Sequence, residues 1–221
     1  TVRSKALWAL GAVCFFWGTT YIAIKVGVRE MPPLMFSGVR FFLAGLLLSA
    51  FCLATGRRMP SARDRGPLAF AAVLMMCVAN GVLAWALQRV PSGVASLVVA
   101  LTPLWLVVLA SVGGERVLAR GWAGGAVGLA GMAVLLWPDL RAAEVKPGLA
   151  LGVGTLTCST GVWAWSSLYQ KRRPHGADPF AAVAFQKLVG GAAAVLLGLL
   201  LDEGPRWQPQ ADGMWELLYL T

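Results

Sequence analysis

Seven stretches of about 20 apolar residues decide what this chain can fold into, because a helix of that length crosses the hydrocarbon core of a bilayer. They cover residues 6–28, 34–55, 66–87, 92–112, 119–137, 148–170 and 180–201, and an eighth begins near Met214. The breaks carry loop chemistry: "REMPP", "GRRMPSARDRGP", "QRVPSG", "GGER", "PDLRAAEVKP", "KRRPHGADP" and "DEGPRWQPQADG". None is long enough for a soluble domain, so function is expected inside the bundle. The expected fold is an all-α integral membrane protein.

Composition agrees. Of 221 residues, 58% are hydrophobic and 13% charged, where a soluble domain is about 25% charged. The net charge of +9 does not point to nucleic acid, which needs basic residues on a solvated face. Here they stand between apolar runs. The first run lacks a small-residue cleavage site and reads as a span, not a signal peptide. Cys14, Cys52, Cys77 and Cys158 lie within apolar runs, with neither disulfide nor metal spacing. His175 stands alone in a basic loop. No metal, no cofactor and no nucleophile–base pair is expected, and so no enzyme.

Lysine and arginine set the orientation. With the N-terminus inside, the inner segments hold Arg3, Lys5, Arg57, Arg58, Arg63, Arg65, Arg116, Arg120, Lys171, Arg172 and Arg173. The outer segments hold only Arg29, Arg89, Arg141, Lys146 and Arg206. An N-terminus on the cytoplasmic side is the expectation.

The chain also matches itself weakly at an offset of 146 residues. Trp17 meets Trp163, Lys25 meets Lys171, Pro33 meets Pro179, Gly45 meets Gly191, and Arg40 meets Gln186. The offset places span 6 on span 1 and span 7 on span 2. A unit of five spans is odd, so its copy enters the membrane inverted. Inverted repeats mark secondary transporters, with sites at the repeat interface near the midplane.

The stretches "FFWGTTYIAIKVGV", "PPLMFSGVRFFLAGLLL" and "VPSGVASLVVALTPLWLVVLASVGGERVLARGWAGGAVGLAGMAVLL" resemble the EamA family of the drug/metabolite transporter superfamily. Trp17-Gly18, Pro33 with Arg40, Pro103, Glu115 and the glycine-spaced fifth run carry the resemblance. It implies ten helices in two inverted five-helix units. Residues 1–146 would form the first unit, and 147–221 the start of the second, about seven and a half helices in all. It also implies export of amino acids, metabolites or drugs through a central cavity in a bacterial inner membrane.

The polar residues inside the runs are the candidate site. Trp17, Thr20, Tyr21 and Ile24 share one helix face, and Trp163, Ser166, Ser167 and Gln170 repeat the geometry; the two faces would line a pocket or simply pack. Asn80, deep in the third run, either bonds across helices or touches the solute. Pro103 removes a backbone hydrogen bond mid-run, as a static kink or a hinge, with Thr102 placed to compensate. Gly121 with Gly125, and Gly124 with Gly128, let helices approach closely, within the bundle or in a homodimer.

Three cations lie in spans. Arg40 either ties backbone carbonyls and Glu30 at an outer gate or attracts an anionic group of the solute. Lys25 is expected to snorkel. Lys187 is placed to face a cavity. No acidic residue falls in the seven full runs, which leaves no carboxylate relay for protons. A rival reading is a seven-helix receptor or retinal protein using Lys187, disfavoured because Val183, one turn earlier, offers no counter-ion. The expected partners are a small-molecule substrate and the lipid bilayer.

Overall fold

A computed structural model describes residues 2–142, 148–173, 175–207 and 211–221. Its long helices are α1 (Val2–Glu30), α2 (Pro33–Ala54), α3 (Ala62–Leu87), α4 (Ser92–Val112), α5 (Ala119–Ala142), α6 (Leu149–Lys171), α7 (Pro179–Leu200) and α8 (Ala211–Leu220). The sequence predicts this order and these positions, and there is no strand among the described residues. Five described stretches are long and apolar enough to cross a membrane: Ala6–Arg29, Pro33–Ala54, Ala62–Leu87, Ser92–Val112 and Pro179–Leu200. The other two expected spans, α5 and α6, match them in length at 24 and 23 residues. α6 is the least apolar of the interior helices, because Thr155, Thr157, Ser159, Thr160, Ser166 and Ser167 interrupt it.

Successive helices run antiparallel, so the loops sort to two ends. At one end the loops after α2, α4 and α6 meet, and most arginines gather there. At the other, the α1–α2 and α3–α4 connections meet the start of α6 and the end of α7. An apolar core of Ile24, Val28, Phe36, Leu87, Val90, Val98, Leu156 and Leu217 fills the bundle near that second end.

The tightest packing is α2 on α7, backbone to backbone. A Cβ on Gly191 would lie 2.5 Å from the Phe42 nitrogen and 2.9 Å from the Gly38 oxygen. One on Gly45 would lie 2.6 Å from the Leu188 nitrogen. Only glycine fits such contacts. They are also reciprocal: Gly45 and Gly191 are matched at the 146-residue offset, and so are the Phe42 and Leu188 they touch.

The helix ends obey the same offset. α2 closes with Gly56 at φ 65°, the Gly56 amide bonding Leu53 O and the Arg57 amide bonding Cys52 O. α7 closes with Asp202 at φ 55°, and the Glu203 amide reaches back to Gly198 O. These are Schellman ends, in which a left-handed residue lets the chain satisfy the last carbonyls. Each delivers a charged side chain to the start of the other helix. Arg57 Nη1 bonds Asp178 Oδ2 at 3.0 Å, and Asp178 Oδ1 caps α7 by accepting from the Phe180 amide at 2.9 Å. Glu203 Oε2 accepts from the Met35 amide at 2.9 Å in the first turn of α2.

Two helices are internally broken. α4 turns at Ala100 and Leu101 before Pro103. Pro103 has no N–H for the carbonyl four residues back, that of Val99, and Thr102 Oγ1 donates to that carbonyl at 2.6 Å. α3 widens into a π-helical segment over Val73–Ala79, a feature nothing in the sequence announces. Of the fifth helix's glycines, Gly125 meets Leu104 of α4, while Gly124 and Gly128 have nothing within 4 Å.

Gly191→Ala should destabilise the bundle by about 1–3 kcal/mol through backbone overlap, read as a lower melting temperature in detergent. Gly124→Ala should leave it unchanged or slightly raised. Asp202→Gly should stabilise by about 0.5–1 kcal/mol, because an L-residue in the left-handed region is strained.

Candidate functional site

The close approach of α2 and α7 brings the intramembrane cations together. Arg40 is 4% exposed, and its Cζ lies 4.3 Å from the centroid of the Phe41 ring. Lys187 Nζ, from α7, stands 4.9 Å from the same centroid. Phe41 and Lys187 are partners at the 146-residue offset, as are Arg40 and Gln186.

Arg40 Nη2 donates to Asn80 Oδ1 at 3.1 Å. The side chain of Glu30, the sequence candidate for this role, lies outside the described residues. Asn80 sits at the end of the π segment, and its Nδ2 donates to the Met75 carbonyl at 2.7 Å. Ser159 Oγ, from α6, donates to the Ala79 carbonyl at 2.7 Å. A π segment offsets its backbone pairing, and these two side chains satisfy carbonyls at that point. Gln170 Nε2 donates to Met75 Sδ at 3.0 Å, and Gln170 Oε1 accepts from Gln186 Nε2. Contacts join Arg40, Asn80, Met75, Gln170 and Gln186, Phe41 joins Arg40 to Lys187, and the backbone joins Lys187 to Gln186, so a ring of residues spans α2, α3, α6 and α7.

A cavity of about 260 Å³ lies between the arginine-rich ends of α3 and α6. Arg63, Asp64, Tyr169, Gln170, Arg173 and His175 are among its walls. Gln170 belongs to both the cavity and the ring.

The remaining sequence candidates are placed separately. Trp17 Nε1 donates to Tyr21 OH at 3.0 Å; Tyr21 is buried, and Trp17 is 58% exposed. Thr20 turns onto the Phe16 carbonyl of its own helix, and Ser167 onto that of Trp163. Ser166 is fully buried, with its hydroxyl unpartnered. α1 packs mainly on α3, α4 and α8, and α6 mainly on α3 and α4. Lys25 does not simply snorkel: its Nζ donates to the Val90 carbonyl at 2.7 Å.

Sequence reading placed Gln170 on the Trp163 face and did not single out Ser37, Phe41 or Ser159. Ser37 stands three residues before Arg40 on the same helix face, a signal within reach of periodicity. The π segment and the Met75 contacts leave no such trace.

At the arginine-rich end, Glu115 Oε1 pairs with Arg172 Nη2 at 3.2 Å, and Glu115 Oε2 with Lys171 Nζ at 3.3 Å. Hydrogen bonds from Arg172, then from Lys171, hold the Glu115 carboxyl below the usual glutamate range. The Asp178 carboxyl is also lowered: partial desolvation opposes the shift, but the Phe180 and Ala181 amides and Arg57 outweigh it.

A helical bundle with broken helices is consistent with a membrane transporter, and comparison with known proteins gives the family. The profile of the EamA-like transporter family matches residues 3–137. The uncharacterized inner membrane transporter YedA of Escherichia coli (strain K12) is 33% identical over 96% of this chain and 68% of its own length. A probable terminal-alkyne amino-acid exporter of Streptantibioticus cattleyicolor is 31% identical over 89% of this chain and 72% of its own. A solved crystal structure shares the fold with a TM-score of 0.70 at 24% identity, covering 98% of this chain and 74% of that one. The chain belongs to the EamA-like transporter family. It is a helical integral membrane protein of a transporter family, which sets aside the retinal reading of Lys187.

The depressed Glu115 carboxyl fixes the sign of an acid effect. Its ion pairs contribute fully above the ordinary glutamate value of about 4.3, and the contribution fades as pH falls through the lowered value. Glu115→Gln should flatten that part of the acid limb of thermal stability in detergent, by a small amount that salt reduces. An unchanged acid limb would mean that the pairs contribute nothing.

Proposed function

We propose that the protein exports small metabolites across a bacterial inner membrane by alternating access. Its solute site is the polar ring between α2 and α3 of one unit and α6 and α7 of an inverted second unit, residues 1–146 and 147–221. The observation that carries this reading is the ring itself. Four helices, two from each unit, converge on Arg40, Asn80, Gln170, Gln186 and Lys187. The reciprocal glycine contacts at the same 146-residue offset support the inverted pairing. Sites at such interfaces, beside broken helices, are the rule for secondary transporters.

The breaks in α3 and α4 supply places where a helix can bend without losing backbone partners. Trp17 with Tyr21 and Trp163 with Ser166 and Ser167 line further parts of the route. The solute class is small and polar, and amino acids are favoured because the Streptantibioticus relative is a probable terminal-alkyne amino-acid exporter. The excess of Lys and Arg on the loops after α2, α4 and α6 supports a cytoplasmic N-terminus.

The test compares spent medium from cells expressing the protein with medium from Asn80→Ala and Trp17→Ala strains, by untargeted mass spectrometry. At least one solute should be enriched several-fold with the wild type and fall toward background in the variants, with membrane insertion intact. Identical media from all three strains would overturn the export reading and the site together.

A further inference from the structure

The two cations of the ring have no described carboxylate to balance them. Each of the three described ion pairs lies at the arginine-rich end of the bundle, on Arg57, Lys171 and Arg172. Among the described residues, a neutral amide alone is hydrogen-bonded to Arg40. Its Nε is buried with no hydrogen-bond partner. Ser37, one turn earlier on α2, is fully buried, and its hydroxyl is also unpartnered. Lys187 stands beside the same Phe41 ring as Arg40. Burying a charge without a partner is costly, and so is leaving donors unmade in a low-dielectric interior. Phe41 offsets part of that cost by a cation–π contact, but a ring face fills no guanidinium N–H.

The geometry points to a carboxylate site: we propose that Arg40, Lys187 and Ser37 bind the carboxylate group of a small organic acid. This rests on the transporter reading and names the charge of its solute. The guanidinium fork supplies N–H donors that match a carboxylate, and the Nε–H is still unfilled. Lys187 adds the second positive charge. The Gln170–Gln186 pair leads from this point to the cavity walled by Arg63, Arg173 and His175. Two of those groups are cationic. Asp64 opposes them, with one of its oxygens engaged by the Ser61 hydroxyl at 2.7 Å. The route is therefore basic at its mouth and basic at its end, with neutral amides between.

The test uses purified protein in detergent. Sodium propionate is the probe, propionamide its uncharged counterpart, and sodium chloride the ionic control, all at equal concentration. Propionate should raise the melting temperature, and the other two should not. Arg40→Gln keeps a partner for Asn80 but removes the charge, and should weaken propionate about tenfold or more, the loss expected for a charged hydrogen bond. Arg40→Lys should recover part of it. Lys187→Met touches no hydrogen bond of the ring and should also weaken propionate, so a folding defect in one variant does not decide the question. Equal shifts from all three additives, no shift from propionate, or a wild-type shift in both charge-removing variants would each overturn the assignment. Binding lost in the variants but no export by the wild type would leave the carboxylate site standing and overturn the exporter. Export that persists unchanged in Arg40→Gln for acids and amides alike would do the reverse.

Discussion

The structure depends on one contact: the backbone of α2 lies directly on the backbone of α7. Without side chains at Gly38, Gly45 and Gly191, the helices close to a distance that any Cβ would prevent. In a bilayer, apolar burial gives helices little reason to associate, so van der Waals contact at small residues has to do it. Everything at the centre follows. Phe41 and Lys187 meet because they flank this contact, and Arg40 and Gln186 stand on either side of it. The polar ring is thus a product of glycine spacing as much as of the polar residues themselves.

The ends are fastened with equal economy. Three helices finish in a Schellman turn, at Gly56, Gly114 and Asp202, and the next residue in each case is charged: Arg57, Glu115 and Glu203. Each makes a contact with a different helix or its flanking loop. A residue placed just past a left-handed turn has a fixed direction, so the turn aims the charge. This gives loop residues a structural job in the absence of any soluble domain.

Much of this was legible in the chain. Hydropathy located α1 to α7 because spanning helices need a length that the bilayer dictates. Arg40, Asn80 and Lys187 stood out because polar groups are rare in such runs, and two of them prove to be hydrogen-bonded to each other. The 146-residue offset paired Gly45 with Gly191 before any contact was known. The π segment over Val73–Ala79 was not legible, because a backbone register shift leaves no residue pattern. Gln170 stood on the Trp163 face, but its particular partners, Met75 and Gln186, leave no periodic trace. The neighbours of the Trp17 and Trp163 faces were not legible either: α1 packs mainly on α3, α4 and α8, and α6 on α3 and α4.

The fastenings at the two ends differ in kind. The arginine-rich end is closed by ion pairs that water reaches, Arg57 with Asp178 and Glu115 with Arg172 and Lys171. The opposite end is closed by side chains bonded to main-chain groups: Glu203 to the Met35 amide, Gln88 to the Val28 carbonyl and Lys25 to the Val90 carbonyl. Dissolved ions screen the first kind over about 8–10 Å at physiological strength and scarcely touch the second. Ionic strength is therefore an unequal lever on this molecule, weakening the contacts at one end more than those at the other.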